Sequence, residues 1–302
     1  MDAIYKGILE TLYHNCRTSY ETLSKRLQVS ATAIQRRVSR LLEKGVIERF
    51  LVSLSFASAE TNPFLGVIGS NRSLDDNTFI EQIGTHPMVD LVRFDSYGYS
   101  VVQGEYSRTR QLSEMRSFLQ KLQGVDSVEL HPYPIPNRGR KVQLSVFERG
   151  VLRPLLDNPR TPIQEIAKII KSTSKRVSRT IQKLIRGEGV KFTALYNLSA
   201  ADSTYIVLRL KWAGNIIAPE EIINQTQQLF PLEFWDATYS AIQNLMWIEF
   251  NVGHPRVAED IAKSLREVSG ITIVATIIPY PGKRFMGIRE AKLREIVMKP
   301  SI

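Results

Sequence analysis

Residues 23–47 read LSKRLQVSATAIQRRVSRLLEKGVI, and the order of residue types in this stretch decides the fold. Leu23 and Leu27, with Tyr20 before them, form one short apolar repeat, and Ser19 stands where a helix N-cap belongs. Gln28-Val29 reads as a tight turn, after which Ser30 caps a second helix that runs to about Lys44 and is closed by Gly45. On this helix Ile34, Val38, Leu41 and Leu42 recur at i, i+4, i+7 and i+8 and predict a single buried face. Upstream, Ile4, Ile8, Leu9 and Leu12 mark another helix over residues 2–13, and residues 46–56 read as extended. Three helices, the last two joined by a turn of three or four residues, form a helix-turn-helix.

The same pattern returns downstream. Lys6-Gly7-Ile8-Leu9 answers Arg149-Gly150-Val151-Leu152, Arg17-Thr18 answers Arg160-Thr161, and Arg36 answers Arg179, all at an offset of 143. Gly45-Val46 then answers Gly189-Val190 at 144, and Pro132-Tyr133-Pro134 answers Pro279-Tyr280-Pro281 at 147. Chance supplies apolar matches but does not keep such landmarks in order within a few residues of register. The chain of 302 residues is therefore two copies of one unit. In the second copy, helices are expected at 148–156, at 162–171 with Pro162 near its start, and at 174–186 with Val177, Ile181, Leu184 and Ile185 inward.

Residues 23–47 resemble the helix-turn-helix of the Lrp/AsnC family, the leucine-responsive or feast/famine transcription regulators; residues 166–190 resemble it more distantly. The resemblance implies a winged helix-turn-helix followed by a RAM domain, a βαββαβ ferredoxin-like sandwich. The residues support that second half independently. Strands and helices alternate over 64–70, 75–84, 89–95, 99–106, 110–122 and 125–130, and again over 205–212, 219–229, 233–238, 245–252, 255–268 and 271–278. The expected architecture is α+β, a tandem duplication: winged helix-turn-helix 1 at 1–56, RAM-like domain 1 at 57–136, a linker with winged helix-turn-helix 2 at 137–196, RAM-like domain 2 at 197–282, and a basic tail helix at 283–302. One departure concerns the family's small-molecule site, which lies around the turn between the second and third strands and usually carries Gly and Asp. Here the turns read Ser96-Tyr97-Gly98-Tyr99-Ser100 and Ser240-Ala241-Ile242-Gln243-Asn244, without the aspartate, so the effector stays open.

The net charge of +10 is a sum of opposite signs. By count of Lys, Arg, Asp and Glu, segments 1–56, 137–196 and 283–302 carry +4, +10 and +4, whereas 57–136 and 197–282 carry −4 each. Phosphate binding needs such local concentration, which points to double-stranded DNA as partner. In a helix-turn-helix the second helix enters the major groove while flanking groups hold phosphates. Arg36 and Arg179 stand one turn into their helices, where a guanidinium can meet guanine O6 and N7. Thr32 and Gln35 can add base contacts; Lys25, Ser30, Arg37 and Arg40 suit the backbone, as do Lys175, Arg176, Lys183 and Arg186 in the second copy.

Other chemistry is not expected. Cys16 is the single cysteine, and His14, His86, His131 and His254 are scattered without metal-ligand spacing, so neither a metal nor a cofactor nor a catalytic residue is assigned. No phosphate loop, dinucleotide fingerprint or nucleophile elbow occurs. No run of 18 apolar residues exists and Met1–Lys6 lacks the layout of a signal peptide, giving a cytoplasmic expectation. Two other readings stay open. Siroheme decarboxylases share the two-domain layout, but residues 90–106 and 236–252 contain no histidine and only Arg93 among basic residues. A protein-binding co-regulator is the other. The linker Arg138-Gly139-Arg140-Lys141 is either a solvated hinge or a DNA contact. The tail helix at 288–298, with Ala291, Ile296 and Val297 available for packing, can clamp DNA or dock on a partner subunit, and is expected first to dock on its own chain. The resemblance further implies a homo-oligomer, a dimer through the RAM-like domains.

Overall fold

The computed structural model describes residues 2–71 and 77–299. The first copy runs α1 (Ala3–His14), α2 (Tyr20–Leu27), α3 (Ala31–Glu43), β1 (Ile47–Leu54), α4 (Phe56–Ala59), β2 (Asn62–Ser70), α5 (Asn77–Gly84), β3 (Val89–Phe94), β4 (Ser100–Tyr106), α6 (Arg110–Gln120) and β5 (Val125–Pro132). The second runs α7 (Val146–Leu152), α8 (Ile163–Ile169), α9 (Ser174–Arg186), β6 (Val190–Tyr196), β7 (Thr204–Trp212), α10 (Pro219–Leu229), β8 (Phe234–Tyr239), β9 (Leu245–Val252), α11 (Pro255–Arg266) and β10 (Ile271–Ile277). A two-residue strand β11 (Lys283–Arg284) and helix α12 (Ile288–Met298) follow. Like parts of the two copies cluster together. Residues 4–61, 136–196 and 286–299 make one compact unit, and residues 62–135 with 197–285 make the other.

In the helical unit the turns form for local reasons. Ser19 Oγ accepts from Thr22 N–H and Ser30 Oγ from Ala33 N–H, so each helix start has a donor satisfied. Gln28 adopts φ 55°, and Gly45 ends α3 at φ 71°, a backbone region that costs glycine nothing. Neither copy builds a wing alone. Each contributes one strand, and β1 pairs with β6 antiparallel. Phe50 pairs with Ala194, its own equivalent at offset 144, and the pairs Leu51–Thr193 and Arg49–Leu195 map onto each other. A second reciprocal contact obeys the same symmetry. Arg17 Nη1 donates to the Pro159 carbonyl, and Arg160 Nη1 donates to the Cys16 carbonyl at 2.6 Å, one bond made twice. The two copies thus meet about a pseudo-dyad, as two subunits do at an isologous interface.

The core of the second copy takes in residues of the first: Cys16, Val52 and Leu54 pack with Val151, Leu155, Val177, Ile181 and Phe192. Helix α12 breaks the symmetry. Leu293 and Val297 enter that core at 0% and 1% exposure. Beside them the buried Glu290 carboxylate receives both guanidinium nitrogens of Arg49, at 3.1 and 2.8 Å.

In the other unit the strand orders are β10-β7-β9-β8 and β11-β3-β4-β2-β5, all antiparallel. Apart from β11, both are the order of a βαββαβ ferredoxin-like sandwich. Alternation along each strand sorts its residues. Leu208, Leu210, Ile248 and Phe250 are buried with Ile222 of α10 and Ile261 and Leu265 of α11. Residues of the other parity face the second sheet. Arg93 reaches Tyr205, and one backbone contact is reciprocal: Ser96 N–H donates to the Ile278 carbonyl, and Ala241 N–H to that of Pro132. The RAM-like halves therefore pair within the chain.

Several expectations need correction. Phe56 starts a one-turn helix, capped by Ser55, and leaves the extended segment. Leu42 is 40% exposed: Ile34, Val38 and Leu41 fill the inner face, and Leu42 lies past its edge. The helix expected at 148–156 starts at Val146, because Ser145 and Glu148 form a capping box, and tightens into a 3₁₀ turn at Arg153–Leu155. Pro162 precedes α8 as its cap. Lys283 and Arg284, assigned to the tail, are a strand on β3; Phe285 then covers Gly84, where an added Cβ would lie 2.0 Å from its ring. In α12 Ala291 faces solvent, and Glu290 and Leu293 are the buried residues beside Val297. Asp75 and Asp76, the expected start of α5, lie outside the described residues.

Candidate nucleic-acid interface

Both copies present the third helix of the motif outward. On α3, Thr32, Gln35, Arg36, Ser39 and Arg40 are exposed, and Lys25 is exposed on α2. Ser30 is exposed, although its hydroxyl already serves as the cap of α3. Arg37 departs from its expected role. It is half-buried, with its guanidinium 5.6 Å from the centre of the Tyr5 ring on α1. On α9, Lys175, Arg176, Arg179, Gln182, Lys183 and Arg186 are all exposed. Thr173, which sequence reasoning missed, caps this helix by accepting from Arg176 N–H. The Arg176 guanidinium lies 3.9 Å from the centre of the Phe147 ring, so α7 steers it.

Sequence reasoning also missed an acid. Helix α9 carries none, but Glu148 of α7 reaches it, and Lys183 Nζ donates to Glu148 Oε1 at 2.8 Å. Burial pushes the Glu148 carboxyl up, but the bonds from Lys183 and Ser145 outweigh that and hold it below the usual carboxylate range. Lys183 is thus paired with a side chain that is 7% exposed. Arg179, Gln182, Lys183 and Arg186 line one shallow groove along the last turns of α9.

The linker is tied down. Gly139 takes φ 72° against Ser55 and Glu188, Arg138 Nη2 donates to the Thr61 carbonyl at 2.7 Å, and Lys141 pairs with Glu60. The tail cations are similarly occupied. Lys292 Nζ donates to the Ala59 carbonyl, and Arg294 bonds Asp157 and the Leu156 carbonyl. Exposed cations of this unit also stand on α2 (Lys25), α3 (Arg36 and Arg40), α8 (Lys168) and α9 (Lys175, Arg176, Arg179, Lys183 and Arg186).

The sheet unit holds a cavity of about 200 Å³ between the two sheets, lined among others by Arg93, Asp95, Tyr99, Arg209, Trp247 and Glu249. Asp95, just before the turn at 96–100, is buried and accepts from the N–H groups of Tyr97 and Tyr99 at 2.9 and 3.0 Å. Burial pushes its carboxyl up and these bonds oppose that. Residues 96–100 line the cavity with Tyr97 and Tyr99, and residues 240–244 do not line it. His131, one of the scattered histidines, is buried between the sheets with Ser240 Oγ at 3.2 Å and Glu129 at 3.3 Å. Among the described residues no group of three or more His, Cys, Asp or Glu is placed to hold a metal ion, and no helix is long and apolar enough to cross a membrane.

A capped turn between two helices, an exposed basic second helix and a following strand define a winged helix-turn-helix protein of the DNA-binding class. Comparison with known proteins agrees: a family model described as winged helix-turn-helix DNA-binding matches residues 1–48. The HTH-type transcriptional regulator LysM of Saccharolobus solfataricus is 30% identical over 123 residues, 39% of this chain and 82% of that protein. An uncharacterized HTH-type transcriptional regulator of Pyrococcus horikoshii is 28% identical over 136 residues, 43% of this chain and 86% of its own length. Among solved structures, that of the siroheme decarboxylase NirDL is 13% identical, with a TM-score of 0.49, and the match covers 97% of this chain and 98% of that one. The chain belongs to the helix-turn-helix transcriptional regulators.

Proposed function

We propose that the chain binds double-stranded DNA sequence-specifically and reads the major groove with two recognition helices, α3 and α9, carried by one polypeptide. The observation that carries this reading is the pseudo-dyad of the helical unit: β1 pairs with β6 about Phe50 and Ala194, and the two outward helices are related as in a dimer. Arg36 and Arg179 then address guanine in the two half-sites, with Thr32 and Gln35 adding base contacts. Lys25, Ser30, Arg40, Lys175, Arg176 and Arg186 hold phosphates. Arg37 and Lys183 contribute less, because one packs on Tyr5 and the other is bonded to Glu148. Pairing of the RAM-like halves within the chain supports a protein whose reading heads are complete in one polypeptide, and light scattering on and off DNA measures whether a second chain joins it.

The test is fluorescence anisotropy on labelled duplexes. Affinity should fall steeply between two salt concentrations, because phosphate contacts release counterions. Arg36→Ala should cost about 1–3 kcal/mol on the preferred site and little on random duplex. Equal losses on both would reject a reading role for Arg36, and binding that ignores salt would reject the DNA interface. Incubation with siroheme should leave no pigment on the protein.

A further inference from the structure

A homodimer presents two identical reading helices, and its operator is palindromic for that reason. This chain keeps the dyad without the identity. At offset 143 the outward positions of α3 and α9 pair as Thr32 with Lys175, Gln35 with Ser178, Arg36 with Arg179, Ser39 with Gln182, Arg40 with Lys183, and Glu43 with Arg186. Arginine at the third pair is the one residue in common.

The differences have a direction. Gln35 offers a donor and an acceptor that match adenine N6 and N7, a reach that Ser178 lacks. Thr32 offers a methyl group to a thymine methyl, where Lys175 offers a flexible point charge. Glu43 accepts from cytosine N4 or turns phosphate away, whereas Arg186 attracts phosphate. Helix α3 holds three cations and one acid; α9 holds five cations and no acid. In the second copy Glu148 also fixes Lys183 against the body of its own domain, at the bases' expense. Helix α12 has no counterpart in the first copy; it braces β1 through Arg49 and Glu290.

We infer that the target is an inverted pair of unlike half-sites, one read over several base pairs by α3 and the other held by α9 and fixed at a single guanine. This inference rests on the proposed DNA-binding function. The two halves would share the guanine addressed by Arg36 and Arg179 and differ around it. Fusion of two copies lets this happen, because each half-site contact can change without changing its mate.

Selection of the full chain against a library of random duplexes, followed by anisotropy on designed duplexes, tests it. The expected consensus has one half constrained at three or more positions and another constrained at one. A palindrome built from the rich half should bind within about threefold of the selected site, since α9 tolerates it. A palindrome built from the poor half should bind at least about tenfold more weakly, the loss of one good base contact. Gln35→Ser, at an exposed position, should erase one constrained base in the rich half, and Ser178→Gln should add one to the poor half. A consensus equally constrained in both halves would overturn the inference and leave the regulator reading standing. No enrichment over the starting library would overturn both.

Discussion

Leu293→Ala tests whether the last helix is part of the helical core or an appendage available to DNA. Leu293 is 0% exposed among Cys16, Val52, Leu54, Val151 and Leu155, side chains drawn from both copies. Truncating it removes three buried carbons and leaves a cavity that backbone on several elements cannot easily collapse into. Leucine-to-alanine changes at such sites cost about 2.7–5 kcal/mol. Crowding by β1, α4 and α7 around α12 places the expected cost in the upper half of that range. That corresponds to a fall in Tm on the order of 10 °C for a unit of this size. Met298→Ala, at 60% exposure on the same helix, should stay within about 0.5 kcal/mol of the parent. Urea unfolding followed by far-UV circular dichroism reads both changes. The three tryptophans, Trp212, Trp235 and Trp247, all belong to the sheet unit, so their fluorescence follows the other half of the molecule separately. If Leu293→Ala and Met298→Ala shift the dichroism midpoint equally, α12 is not in the core and the reasoning fails.

Three further outcomes are expected. Glu148→Gln keeps a residue suited to the capping box but frees Lys183, so the salt dependence of DNA binding should steepen by about 0.9 in log–log slope; an unchanged slope means Lys183 stays away from phosphate. Arg17→Ala removes two charge-assisted bonds to the Pro159 and Thr161 carbonyls and should destabilise the helical unit by about 1.5–3 kcal/mol, with Arg160→Ala costing a similar amount by symmetry; chemical denaturation showing only one of them to matter would break the pseudo-dyad argument. Burial holds the His131 imidazole below its ordinary 6.5, against the opposing pull of Glu129. The unfolded chain therefore binds the proton more readily, and this contribution is complete above pH 6.5 and lost as pH falls through and below it. Thermal melts by tryptophan fluorescence should show a smaller acid-side decline for His131→Gln than for the parent, and parallel curves would remove His131 from the account.

Much of this was legible because it is local. The caps at Ser19 and Ser30, the turn at Gln28 and the close of α3 at Gly45 depend on neighbours within four residues. The strands and helices of the sheet unit follow from alternation and periodicity, with boundaries off by one or two residues at Phe94, Gln120 and Arg266. The exposed faces of α3 and α9 follow from the same arithmetic, with Leu42 and Arg37 its failures. What escaped were the particular side-chain partners met across the chain. Arg37 looked outward until α1 placed Tyr5 beneath it, and Lys183 looked free until α7 brought Glu148 within 2.8 Å. Asp95 and His131 gave no signal, since each is defined by a partner far away or by burial between two sheets.

The sequence by itself determined that there are two copies, that each holds a helix-turn-helix and a ferredoxin-like half, and that the positive charge collects on the former. Repetition, periodicity and charge are properties of a string. Tertiary structure alone decided that like halves pair within one chain, that the wing is shared between copies, and that Glu290, Leu293 and Val297 are the residues the final helix buries. Those outcomes depend on which buried faces fit one another, a matter of shape and hydrogen-bond reciprocity between residues some 143 positions apart.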